Sequence, residues 1–255
     1  MRSTLGSDLA PDLTHDAFLG GRVQLWQPRT GYRAGVDPVL LAASVPARAG
    51  QAVLDLGCGV GAAALCLGAR VPGLSLLGVE RVPGYAALAA RNGLDVVEAD
   101  LQVLPADVTA RAFDHVLANP PYYDREAGHA ARDAAREAAL GEETPLRVWI
   151  DVATRRLRPK GYLHLIYKAH RLPDLMQAVD RRLGSLELIP ICPRRGKPAT
   201  LVILRARKDG RAPFCLHAPV ILHAGERHER DGEDYAPEIQ AVLRDGAALT
   251  VSPAY

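Results

Sequence analysis

Hydrophobic and polar residues in this chain fall into blocks. Short, largely apolar runs, "AVLDLG" (52–57), "LSLLGVE" (74–80), "LDVVEAD" (94–100) and "FDHVLAN" (113–119), each carry an acid or an amide at or near the carboxyl end. Runs of that length bounded by turn residues predict strands buried on both faces. Helix formers fill the gaps in "GAAALCLGAR" (61–70) and "GYAALAARNG" (84–93), the second closed by Asn92-Gly93. Thr144 before Pro145 predicts a capped helix start for "LRVWIDVATRRLR", where Leu146, Trp149, Ile150, Ala153 and Leu157 recur at helical spacing. "GYLHLIYK" (161–168) predicts a fifth strand, "LPDLMQAVDRRLG" (172–184) a helix, and "LELIPIC" and "TLVILRARK" a closing pair. Only the eight residues "PRRGKPAT" join that pair, with no helix between, so it is expected to run antiparallel.

Strands alternating with helices predict an α/β fold: a mostly parallel seven-stranded sheet, helices on both faces, and an antiparallel last strand pair. The early stretch "FLGGRVQLWQP" predicts a β-hairpin, whereas 124–143 and 209–234 are polar and predict loops. The expected division is 1–50 for a hairpin and a helix, 51–208 for the sheet domain, and 209–255 for a C-terminal extension.

At 255 residues, 48% hydrophobic, the chain can bury one sizeable core. No run reaches the ~18–20 apolar residues of a membrane span, and the opening "MRSTLGSDLAPDLTHD" lacks the apolar run of a secretory signal. Cys58, Cys66, Cys192 and Cys215 show no Cys-x-x-Cys spacing, which suits reduced thiols of a cytoplasmic protein, with neither disulfide nor metal expected. His217, His223 and His228 match no common ligand spacing, so they too predict no metal site.

Net charge is only +2, but it is unevenly spread. Residues 1–146 hold 12 Lys/Arg against 17 Asp/Glu, residues 147–211 hold 16 against 5, and residues 212–255 hold 3 against 7. A basic block in a nearly neutral chain points to one face for a polyanion; solvated helix faces are the plainer reading.

In parallel sheets, ligands sit beyond the carboxyl ends of the strands. The first strand ends in "DLGCGVG", where Asp55 is followed by Gly57, Gly59 and Gly61, a turn that leaves backbone bare for a ligand. Glu80 ends the second strand, 23 residues past Gly57, where a carboxylate can accept both hydroxyls of a ribose. These features are shared by NAD and S-adenosylmethionine sites. Asp100 ends the third strand, where it could accept an adenine amine. The fourth ends in Asn119-Pro120-Pro121-Tyr122, which is either a stiff turn or a group held out for a substrate.

Together, "DLGCGVG", Glu80, "EAD" and Asn-Pro-Pro-Tyr resemble the Rossmann-like class I S-adenosylmethionine-dependent methyltransferases of the branch that modifies exocyclic or amide nitrogens. The resemblance covers roughly residues 20–206. "GYRAGVDPVLLAA" and "RDAAR" (132–136) look most like the bacterial enzymes that methylate N6 of the adenine just 3′ of the anticodon in a valine tRNA. The resemblance implies S-adenosylmethionine held by Arg33, Gly35, Asp37, Asp55, Gly57, Gly59, Glu80, Asp100 and Asn119. It implies tRNA as the partner of a monomeric, cytoplasmic enzyme. Only 19 residues separate Glu80 from Asp100, a tighter connection than most members have.

The expected chemistry is a clamp. An adenine N6 is a poor nucleophile, and its two hydrogens can be accepted by the Asn119 side-chain oxygen and the Pro120 carbonyl, whose direction the proline rings fix. Tyr122 would stack on the base, with Tyr123, Arg132, Arg136, Arg194, Arg195 and Lys197 contacting RNA. The same clamp could serve a protein glutamine amide or an amine of rRNA or DNA. A dehydrogenase would leave it without a task, and a catalytically idle RNA-binding module would not require it.

Overall fold

The computed structural model describes residues 12–121, 144–225 and 234–251. A hairpin opens the chain, β1 (Leu13–Phe18) against β2 (Val23–Pro28), followed by α1 (Val36–Ser44). Then come β3 (Ala52–Leu56), α2 (Ala62–Arg70), β4 (Ser75–Glu80), α3 (Pro83–Arg91), β5 (Val96–Glu98), a short α4 (Ala106–Thr109) and β6 (Phe113–Ala118). The second half holds α5 (Leu146–Arg156), β7 (Leu157–Lys168), α6 (Leu172–Ala178), β8 (Leu183–Cys192) and β9 (Leu201–Lys208). Two-residue strands β10 (Cys215–Leu216) and β11 (Val220–Ile221) precede α7 (Pro237–Asp245).

The main sheet runs β10-β8-β9-β7-β6-β3-β4-β5, with β11 also paired to β8. Strands β5 through β7 are parallel and β9 is antiparallel to both its neighbours. From β3 the chain steps outward to β4 and β5, then returns to place β6 on the other side of β3. That reversal opens a crevice between β3 and β6 at their carboxyl ends. Apolar helix faces bury both sides of the strands. Leu40, Leu41, Leu67, Leu117 and Ile166 belong to one core; Leu54, Leu56, Ile150, Leu163 and Leu165 belong to the other.

Three expectations are corrected. Among the described residues the sheet has nine strands, not seven, because β10 and β11 from the polar 209–234 stretch pair with β8 and cover its edge. The helix expected over 172–184 stops at Ala178. Asp180 folds an Asx-type turn, accepting the Arg182 N–H at 2.8 Å, and β8 starts at Leu183. Helix α5 starts at Leu146 with Pro145 outside it, and the Thr144 carbonyl accepts the Trp149 indole N–H at 3.3 Å.

Candidate active site

The register of β3 against β6 pairs Leu56 with Ala118, so Asn119 stands level with Gly57 across the crevice. Gly57 and Gly59 have φ of +59° and +55°, a region costly for side-chain-bearing residues. Their bare faces meet aromatic rings: a Cβ on Gly57 would lie 2.4 Å from the Trp149 indole, and one on Gly59 3.3 Å from the Tyr32 ring. Glycine here admits two aromatic walls as much as it exposes backbone.

Glu80, at the end of β4, accepts the Gly59 N–H at 2.9 Å and the Val82 N–H at 2.8 Å, one on each oxygen. The carboxylate thus ties the glycine turn to the next strand, and each oxygen keeps a second acceptor position. Asp55 is 2% exposed and accepts the Ala64 N–H at 3.2 Å. Burial pushes its pKa up to about 7, and the nearby Glu80 charge adds to the shift against that single hydrogen bond.

Two cavities meet at the crevice. One, about 10 Å³ and roofed by Tyr32, is lined by Asp55, Gly57, Cys58, Val60 and Asn119. The other, about 280 Å³, is lined by Pro120, Pro121, Pro145, Trp149, Tyr167 and Arg171. Asn119 faces the first cavity and Pro120 the second, so the residues of one peptide unit stand on their boundary.

The remaining expected residues are dispersed. Gly35 precedes α1 and Asp37 lies in its first turn. Asp100 accepts the Gln102 N–H at 2.8 Å and faces Arg81 at 3.9 Å. Arg33 points to the hairpin, donating to Asp16 at 2.7 Å, Thr14 at 2.8 Å and the Pro28 carbonyl at 2.9 Å. Arg194 turns to the C-terminal extension, pairing with Asp234 and donating to the Ala224 carbonyl at 2.6 Å. Arg195 and Lys197 are exposed in the β8–β9 turn, at the same end of the sheet as Asn119. Tyr122, Tyr123, Arg132 and Arg136 lie outside the described residues. Tyr32 and Trp149 escaped the sequence reading. Tyr32 carried a weak signal as an aromatic between Gly31 and the basic-glycine stretch, whereas Trp149 read only as part of a helix stripe.

The chain as a whole is similar to known methyltransferases. The model of the "methyltransferase small domain" family matches residues 34–189. The tRNA1(Val) (adenine(37)-N6)-methyltransferase of Dickeya chrysanthemi is 27% identical over 228 residues, 85% of this chain and 88% of that protein. The release factor glutamine methyltransferase of Salmonella typhimurium is 32% identical over 143 residues, about half of each chain (52% and 51%). Among solved structures, a predicted O-methyltransferase from Agrobacterium tumefaciens superposes with a TM-score of 0.67 at 26% identity, over 84% of this chain and 98% of that one.

Proposed function

The chain belongs to the methyltransferase small domain family, and from that premise we propose that it methylates the exocyclic N6 of an adenine in RNA, namely a tRNA adenine beside the anticodon. One observation carries this reading: the Asn119-Pro120 peptide separates the cavity with Asp55 and the glycine turn from the larger, aromatic-walled one. A donor on one side and a planar acceptor on the other would meet at these two residues. The relative from Dickeya chrysanthemi, matched along most of its length, supports the choice of tRNA.

The methyl donor is S-adenosylmethionine, which when bound supplies an electrophilic methyl group on a positively charged sulfur. The site's donors and acceptors fit it. Asp55 is a buried carboxyl facing a cavity, with a pKa raised to about 7 by burial, and a cationic ligand beside it restores its charged form. Glu80 keeps an acceptor position on each oxygen for a ribose diol while its N–H partners hold it in place. Asp55, Gly57, Gly59 and Glu80 are therefore the residues we assign to the cofactor.

Asn119 and the Pro120 carbonyl are assigned to the amine. Accepting its two hydrogens turns the nitrogen lone pair out of conjugation and aligns it with the methyl. As the N–C bond forms and the S–C bond breaks, the nitrogen becomes cationic and both acceptors bind its hydrogens more tightly. They stabilise the transition state more than the ground state. The proton then leaves an acidic ammonium, so no strong base is required.

The test supplies labelled S-adenosylmethionine with purified unmodified tRNA, rRNA, DNA or release-factor protein, followed by nucleoside and peptide mass spectrometry. Label in N6-methyladenosine of tRNA is expected. Asn119→Ala should bind cofactor as wild type does yet lose at least about a hundredfold in kcat, the scale of one lost transition-state contact. Label on a release-factor glutamine instead would establish the second reading, which the relative from Salmonella typhimurium favours.

A further inference from the structure

Two residues of the larger cavity, Tyr167 and Arg171, lie outside both the clamp and the glycine turn. Tyr167 is 6% exposed near the end of β7, on the face that carries Leu163 and Leu165 toward α5. Arg171 closes the helical turn Ala169–Arg171 that follows, and its guanidinium sits 5.9 Å from the centre of the Tyr167 ring. The Arg171 side chain is 38% exposed, so its cation reaches solvent at the edge of the cavity. Its ion pair with Asp174, at 2.5 Å, is solvated on both sides and competes weakly with a better anion.

The rest of the lining is dominated by rigid apolar surface: Pro120, Pro121, Pro145, Leu146 and Trp149. Trp149 is fixed by its indole N–H to the Thr144 carbonyl and by its ring across Gly57. Its position in the wall is therefore set by contacts within the fold. At about 280 Å³ the cavity falls just below the ~300–1,000 Å³ typical of small-molecule pockets, room for a single planar group rather than an extended chain. Apolar and aromatic walls suit a planar base, and the Arg171 cation at the edge suits an anion attached to that base.

We propose that Arg171, held against the Tyr167 ring, grips the backbone phosphate of the nucleotide whose base occupies this cavity. It thereby selects a nucleotide over a peptide amide. This rests on the RNA reading above. A glutamine side chain would fill the apolar part and bring no anion for Arg171.

Steady-state methylation of unmodified tRNA tests this with Arg171→Ala and Arg171→Lys, alongside thermal melts and cofactor calorimetry. Arg171→Ala should raise KM for tRNA about tenfold with kcat within about twofold, the pattern of a contact made equally in ground and transition states. The log–log salt slope of tRNA binding should flatten by ~0.7, one single-strand phosphate contact. Arg171→Lys should recover the slope without the full KM, because a point charge replaces a fork. Cofactor affinity should stay at the wild-type value throughout. Wild-type methylation of tRNA combined with an unchanged KM and salt slope in Arg171→Ala would overturn the Arg171 assignment alone. Methylation of release-factor protein and not RNA by the wild type would overturn the RNA reading and this inference with it.

Discussion

Asp55 lies one residue before the end of β3, and one backbone N–H is its only donor among the described residues. With its pKa raised to about 7, it is neutral below that pH and charged above it. A sulfonium- and ammonium-bearing ligand prefers the charged form, so S-adenosylmethionine affinity should fall as pH drops below about 7. Binding at pH 6 should release a proton. Calorimetry at pH 6 in two buffers of different ionisation enthalpy measures that release. Asp55→Asn should bind more weakly and show no release, whereas a wild-type affinity flat from pH 5.5 to 8 would remove Asp55 from the contact. Arg33 makes the complementary point. Its place in the sequence suggested the cofactor, but hydrogen-bond partners on both hairpin strands, β1 and β2, hold it there.

Strand direction divides the basic block. β9 runs antiparallel to β7, so the β8–β9 turn lies at the Asn119 end, and residues late in β9 lie at the other. Arg205 is consumed there by Glu187 at 3.0 Å and the Ser44 carbonyl at 2.8 Å. Lys208 donates to the Leu157 carbonyl at 2.7 Å, and Arg207 lies 5.5 Å over Tyr162. Of the turn's three cations, Arg194 is built into the C-terminal extension, which leaves Arg195 and Lys197 exposed at the rim. These roles separate experimentally. Arg195→Ala with Lys197→Ala should weaken tRNA binding and flatten its salt slope by ~0.7 per lost contact. Arg194→Ala should leave the slope alone and cost about 1–3 kcal/mol of stability, because Asp234 and a carbonyl lose a charged donor. An unchanged slope in the double variant would move the RNA to another face.

Across the whole molecule, the C-terminal extension closes the structure. β10 and β11 cover β8, the Leu249 N–H reaches the Ala43 carbonyl at 2.9 Å, and Arg22 of the hairpin region donates to the Asp245 carbonyl. A polar row also crosses the interior. The Gln51 side-chain oxygen faces His115 Nε2 at 3.1 Å, and His115 Nδ1 faces His164 Nε2 at 3.1 Å. The oxygen can only accept, so His115 carries its proton on Nε2 and His164 donates from its own Nε2. Burial pushes His115 down to about 4 and His164 well below the usual histidine range. The unfolded chain therefore takes up protons first, and stability should fall as pH drops from about 6.5 toward 4. Asp55 acts in the opposite sense in the cofactor-free protein, since its raised pKa favours folding as pH falls below 7. The histidine contribution is thus the difference between wild type and His115→Gln with His164→Gln, followed by thermal melts from pH 7.5 to 5. The double variant should lose less in Tm over that range; a parallel loss would mean the pair does not govern acid stability.

The sequence by itself determined the alternation of strands and helices, the antiparallel last pair, and the polar residues at the strand ends. Buried strands must be apolar along their length, so the few polar residues they carry near their ends are visible as interruptions, as at Asp55, Glu80 and Asn119. It also carried the Asn119-Pro120-Pro121 sequence at the end of β6, because proline after an amide at a strand end has few structural reasons to exist. Three things were decided only by tertiary structure. The Trp149 and Tyr32 rings lie across Gly57 and Gly59, a meeting of segments far apart in sequence whose apolar signal is the same as that of any core residue. Strands β10 and β11 come from a stretch with no strand pattern, since two residues paired to an existing edge need no periodicity of their own. The fate of each arginine depended on what lay across from it. Charge is written in the sequence, but whether a cation faces solvent, an acid or a carbonyl is set by strand direction and packing, as the contrast between Arg194 and its exposed neighbour Arg195 shows.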